Sequence, residues 1–296
     1  MKTKFLFLSL FFIALSLKAQ TYAKNGMVVS DHKLASEVGT EILKKGGNAI
    51  DASVATAFAL AVTHPQAGNI GGGGFLVFMS STGKSTTIDF REKAPLKATP
   101  DMFLDENGQL INGSNHNGLK SVGVPGTVAG LYLAHQKYGK LPWKELVQPS
   151  IDLAQNGFEL SYTLANHAKR YRESGEIEFM SHFFDNENGN PTQMGETWMQ
   201  SALASTLKRI RDKGKDGFYK GETAKEIAQH MKDNGGIITK KDLKKYEAVE
   251  RKPAKGTYKG YDIYSMPPPS SGGVALIEMM NLMELVDFIY ILHKAL

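Results

Sequence analysis

Two short segments of this chain carry residue types that chemistry needs. Asn69-Ile70-Gly71-Gly72-Gly73-Gly74-Phe75 is a glycine run entering an apolar strand. Asp89-Phe90-Arg91-Glu92-Lys93-Ala94-Pro95 sets a lone arginine between the end of a second strand and a proline. An arginine directly after a strand that includes Ile88 and Phe90 is expected to be at least partly buried at the sheet end. A guanidinium so placed needs an anion, because an unpaired buried charge is costly. Two partners are open: a neighbouring Asp89 or Glu92 as a structural pair, or a ligand carboxylate held by two parallel hydrogen bonds. Lysine could not reproduce the second arrangement.

The glycine run is no nucleotide motif. A dinucleotide fingerprint needs glycines at i, i+2 and i+5, and no start within Gly68–Gly74 satisfies this. Gly83-Lys84-Ser85 resembles the end of a phosphate-binding loop, but Phe78 stands where its first glycine is required. Four glycines then serve close backbone packing in a sheet, or amides exposed beside a ligand. The histidines show no metal-ligand spacing, and no Gly-x-Ser-x-Gly elbow occurs. Ser270-Ser271-Gly272-Gly273 offers hydroxyls and amides, but after three prolines a rigid turn is the default. No cofactor or metal is expected.

The elements around these residues follow from periodicity and caps. His32–Lys45 has helical spacing and stops at Gly46-Gly47. Asn48 or Asp51 starts a second helix through Ala52–Val62, apolar nearly all round and so expected to be buried. Phe75–Met79 and Ser85–Phe90 form a hairpin about Ser81–Lys84. Residues 101–120 read as a surface loop. Helices are expected over 128–138, 143–156, 163–173, 201–213 and 222–234. Thr239 caps another through Tyr246, with Asp242 completing a variant capping box. Its lysines, Lys240-Lys241 and Lys244-Lys245, form a solvated face offset by Asp242 and Glu247. Tyr258–Met266 is strand-like, Pro267–Gly273 breaks it, and a final amphipathic helix runs from Val274 to the end. With no repeat or flexible linker, one compact unit is expected over 20–296.

A length of 296 residues suffices for a substantial core. Residues 1–19 read as a secretory signal: Lys2 and Lys4, an apolar Phe5–Leu17, then cleavage after Leu17-Lys18-Ala19. The apolar stretch is too short to span a bilayer comfortably, an uncleaved anchor being the alternative. Its removal takes away three lysines and no acid, lowering a net charge of +5 to +2. That surplus is too small to imply nucleic acid as a partner. Without cysteine there is no disulfide framework, which suits an exported periplasmic or extracellular protein that relies on its core.

Taken together in order, these segments resemble the γ-glutamyltranspeptidase family along most of residues 25–285. The matching residues are Gly46–Ala52, Asn69–Phe75, Asp89–Pro95, Val124-Pro125-Gly126 and Gly157-Phe158. Further along they are Gly235-Gly236 with Asp242-Leu243 and Tyr246, Arg251-Lys252-Pro253 and Pro267–Gly273. The resemblance implies an α+β fold of the N-terminal-nucleophile hydrolase type, an αββα sandwich that this chain would carry only in part. It implies a precursor cut into a large and a small subunit, and a γ-glutamyl-enzyme made from glutathione or another γ-glutamyl amide. Arg91 matches the family arginine that pairs with the α-carboxylate of the glutamyl group.

The family's nucleophile setting, Thr-Thr-His followed by an aromatic residue and a serine, is absent. Thr86-Thr87 lies inside an expected strand and cannot replace it. The chain, ending within a helical apolar pattern, is therefore expected to be a partial large subunit and inactive alone. Its small-subunit partner would carry the threonine. Alternatives are a related acylase of the same fold, or a non-catalytic γ-glutamyl-binding fragment.

Overall fold

A computed structural model describes residues 22–174, 182–186 and 188–285. The expected signal segment, and the final helix beyond residue 285, lie outside them.

The first helix, α1 (Lys33–Lys44), is capped by His32, whose Nδ1 accepts the Leu34 amide at 3.3 Å. The next, α2 (Ala49–Thr63), starts with a reciprocal cap. Asn48 Oδ1 accepts the Ile50 and Asp51 amides, while Asp51 Oδ2 accepts the Asn48 amide at 2.9 Å. Asp51 is fully buried, a costly place for a carboxylate. Further amides from Lys140 and Leu141 meet its oxygens at 2.9–3.2 Å, so the cap also fixes a distant loop. Little of α2 is exposed, as its all-round apolar sequence requires.

Strands β1 (Phe75–Met79) and β2 (Ser85–Asp89) form the expected antiparallel hairpin, with Leu76 opposite Ile88. Its other neighbour arrives from far along the chain. After α3 (Thr127–Tyr138), α4 (Trp143–Asn156), β3 (Phe158–Glu159), α5 (Tyr162–Ser174), β4 (Thr197–Trp198) and α6 (Ser201–Lys213) come α7 (Asp216–Tyr219), α8 (Gly221–Asp233) and α9 (Lys240–Lys245). Strand β5 (Val249–Arg251) then pairs antiparallel with β2, giving the order β1-β2-β5. This central position buries Thr87, Ile88 and Asp89. The sequence reading missed β5, whose three residues include two charges.

The core lies between α2, α4, α6 and the sheet. Phe58, Ile88, Leu146, Ile151, Leu207 and Ile210 are all sealed from solvent. Trp143 meets Phe58 edge to face with centroids 5.5 Å apart and donates its indole N–H to the Ile210 carbonyl at 3.0 Å.

Tyr258–Met266, expected as one strand, belongs to a hairpin of two: β6 (Ala254–Tyr258) and β7 (Tyr261–Ser265). Its two-residue turn is Lys259-Gly260, both at positive φ, the twist-matched geometry for a tight hairpin. Helix α10 (Gly272–Glu284) closes the described chain. No described helix is long and apolar enough to cross a membrane. The class is α+β. Among the described residues, the expected sandwich is represented by one three-stranded sheet, two two-stranded pairs and their helices.

Candidate functional site

Phe90 decides where Arg91 goes. Its N–H donates to the Gly74 carbonyl at 3.1 Å, extending the β1–β2 register one step and laying the glycine run beside residues 90–92. A Cβ at Gly73 would stand 2.7 Å from the Phe90 carbonyl oxygen and 2.8 Å from the Glu92 nitrogen. At Gly74 it would strike the Phe90 ring, and so would one at Gly130 in α3. The Phe90 ring therefore fills a slot lined by glycine on two sides and is only 7% exposed. Gly72, Gly73 and Gly74 act in packing, the first of the two uses open to them; Gly71 has open space above it.

With Phe90 turned inward, Arg91 emerges on the surface. It is exposed, not partly buried as expected from its place after a strand. The guanidinium carbon lies 5.8 Å from the centroid of the Phe75 ring, the first residue of β1. That seat on an aromatic face leaves the donor edges of the fork open to an anion.

Neither acid considered as a structural partner takes the guanidinium. Asp89 Oδ1 accepts the Arg91 backbone N–H at 3.0 Å. Asp89 Oδ2 is engaged by Arg251, with Nε and Nη2 each at 2.9 Å. Glu92 Oε2 sits beside Gly73. Among the described residues Arg91 forms no ion pair.

The backbone carrying Arg91 is pinned from the far end of the sequence. Tyr246, just after α9, donates its hydroxyl to the Arg91 carbonyl at 2.8 Å. Its ring stacks on Tyr219 at 5.7 Å with 9° between planes, and Tyr219 donates to the Pro125 carbonyl at 2.8 Å. Burial pushes both phenols above their ordinary range, so they remain neutral donors. Lys93 Nζ lies 5.0 Å from the Tyr246 ring centroid and donates to the Glu247 carbonyl at 2.7 Å. Asp242 Oδ1 accepts the Leu96 amide at 2.7 Å. Burial alone would raise the Asp242 carboxyl, but the Leu96 amide and the Thr239 hydroxyl and amide hold it below its usual range.

Arg91 is thus an exposed cation on a fixed stem. Sequence reasoning did not find Tyr219, Tyr246 or Arg251 as its supports. Each acts across more than 120 residues; Tyr246 and Arg251 stood out only as members of the matching segments, and Tyr219 left no signal.

The remaining motifs take structural roles. Thr86 donates to Glu250 Oε1 at 2.7 Å and Thr87 to the Arg251 carbonyl at 3.0 Å, tying β2 to β5. Ser270 Oγ accepts the Gly272 amide at 3.2 Å in the turn before α10. No cluster of His, Asp and Glu able to hold a metal occurs among the described residues.

Comparison with known proteins places the chain in a family. The γ-glutamyltranspeptidase family model matches residues 35–294. The glutathione hydrolase proenzyme of Escherichia coli K12 is 50% identical over 272 residues, which are 90% of this chain and 46% of that protein. An acylase ACY 1 proenzyme of Pseudomonas sp. strain V22 is 38% identical over 91% of this chain and 50% of its own. The crystal structure of Helicobacter pylori γ-glutamyltranspeptidase superposes with a TM-score of 0.87 at 47% identity, covering 90% of this chain and 77% of that one. This chain spans about half the length of the curated relatives it matches. A family model matched over most of the sequence and an identity of one residue in two agree: the chain belongs to the γ-glutamyltranspeptidase family.

Proposed function

We propose that this chain is the γ-glutamyl-recognising part of an exported γ-glutamyltransferase and glutathione hydrolase. In this reading Arg91 holds the α-carboxylate of the glutamyl group by paired charge-assisted hydrogen bonds. The group that attacks the γ-carbonyl is a threonine on a small-subunit partner, whose free α-amine serves as its base. Attack expels the amine and leaves a γ-glutamyl ester, which water or an amino acid then resolves. The α-carboxylate is remote from the bond that breaks. Arg91 therefore grips ground and transition states alike, and its loss should raise KM more than it lowers kcat.

One observation carries this reading. An exposed guanidinium at the end of β2, seated on Phe75 and fixed through its backbone, has no acid of the described chain as partner. A second reading, acylation chemistry on a different acyl group, is favoured by the 38% identity to the acylase proenzyme. Competition between glutathione and acyl amides for the assembled enzyme separates the two.

The direct test is release of the aniline from a γ-glutamyl anilide by the purified chain. No turnover is expected from the chain alone, and turnover is expected once it is assembled with a threonine-bearing small subunit. Turnover by the chain alone that disappears on substituting a residue within 20–296 would contradict the assignment.

A further inference from the structure

Asp89 stands two residues from Arg91 and already accepts its amide, so its carboxylate lies within reach of a guanidinium that folds back. It is a built-in competitor for any anion that Arg91 binds. Arg251 removes that competitor. Its Nε and Nη2 both meet Asp89 Oδ2 at 2.9 Å, and the Asp89 side chain is only 8% exposed. The position of Arg251 is fixed independently of this contact. It closes β5, lies opposite Thr87 in the ladder, and its carbonyl accepts the Thr87 hydroxyl at 3.0 Å.

We infer that Arg251 is a positioning residue for ligand capture: by occupying Asp89 it keeps the Arg91 guanidinium uncommitted. The inference deepens the proposed function and takes its ligand, the glutamyl α-carboxylate, from that reading. Two arginines and one aspartate leave one positive charge over. Both arginines are exposed, so the geometry decides which carries it: the one in β5 is paired with the acid, and the one after β2 is left for the ligand. Arg251 touches no substrate in this scheme and acts only through Asp89.

The guanidinium can be read directly, without turnover, by phenylglyoxal modification of the intact chain followed by peptide mass spectrometry. Arg91 of the parent is expected to react as a free exposed arginine. In Arg251→Gln the released Asp89 draws Arg91 into a surface ion pair. Modification of Arg91 should then slow about two- to fivefold, the range that the strength of such a pair allows. In R251Q/D89N the competitor is neutral while its oxygen can still accept the Arg91 amide, and the parental rate should return. A merely structural role for the Arg251–Asp89 pair predicts no recovery in the double variant. If R251Q loses its fold, all its arginines react uniformly fast. Arg251→Lys, with a single point contact to Asp89, then carries the comparison and should give an intermediate rate.

An unchanged Arg91 rate in the folded single variant overturns the inference, as does a double variant no faster than the single. L-glutamate is the second probe. It should protect Arg91 of the parent, whereas γ-aminobutyrate, lacking the α-carboxylate, should not. Absence of glutamate protection together with the R251Q slowing would refute the ligand assignment and leave the Arg251 switch standing.

Discussion

Glu250 shows how much one side chain can organise next to the site. In β5, it receives the Thr86 hydroxyl at 2.7 Å, the Tyr138 hydroxyl and the Lys137 ammonium, so β2, β5 and the end of α3 meet on one carboxylate. The bond from Lys137, with that from Tyr138, holds its pKa at about 2, below the ordinary 4.5. A carboxyl depressed in the folded state stabilises fully above its unfolded value and loses that contribution as pH falls through the folded one. Parent protein should therefore lose an increment of stability between pH 4.5 and about 2 that Glu250→Gln lacks. At neutral pH the variant should melt a few degrees lower. Thermal melts across that window check it, and parallel pH profiles for the two proteins would refute it. Glu250 was invisible in the sequence, because a charged residue in a short segment signals nothing until its distant donors are known. Arg91 was visible because its neighbours are local: a strand before it and a proline after it. Its burial was misjudged, since the inward turn of Phe90 depends on glycines in two other segments.

At the scale of elements, the glycine run and α3 together shape the slot that turns Phe90 inward and Arg91 outward. Gly73→Ala would force a methyl to 2.7 Å from the Phe90 carbonyl, where backbone must shift. A loss of about 1–3 kcal/mol is expected for such overpacking. Gly71→Ala meets open space and should be close to neutral. Urea unfolding of both variants measures the contrast, and equal losses would contradict the packing role. The sequence disclosed those elements whose signals lie within a few residues of each other. Thr239 with Asp242 forms the capping box its residue types predict, and of the two starts open to the second helix Asn48 is the cap, with Asp51 three residues on completing a reciprocal pair. Strand β5 escaped notice because three residues are too few for an alternating pattern. Of the β6–β7 hairpin only β7 was anticipated, with the turn read into the strand, because Lys259 at positive φ is an unusual turn residue.

For the whole molecule, family membership was legible because several separated motifs occur in family order, each weak alone. Folding reveals how they cooperate. Segments 69–75, 89–95, 124–126 and 246–251 converge on one arginine, although the first and last are more than 170 residues apart. In the proposed division of labour, this assembly recognises the glutamyl head and a partner subunit supplies the attack. Calorimetric titration of the purified chain with L-glutamate tests that claim most directly. The parent should bind, Arg91→Ala should bind at least ~10-fold more weakly, and Arg91→Lys should fall between them, having charge without the fork. Equal affinities for parent and Arg91→Ala, or no binding by the folded parent, would contradict it.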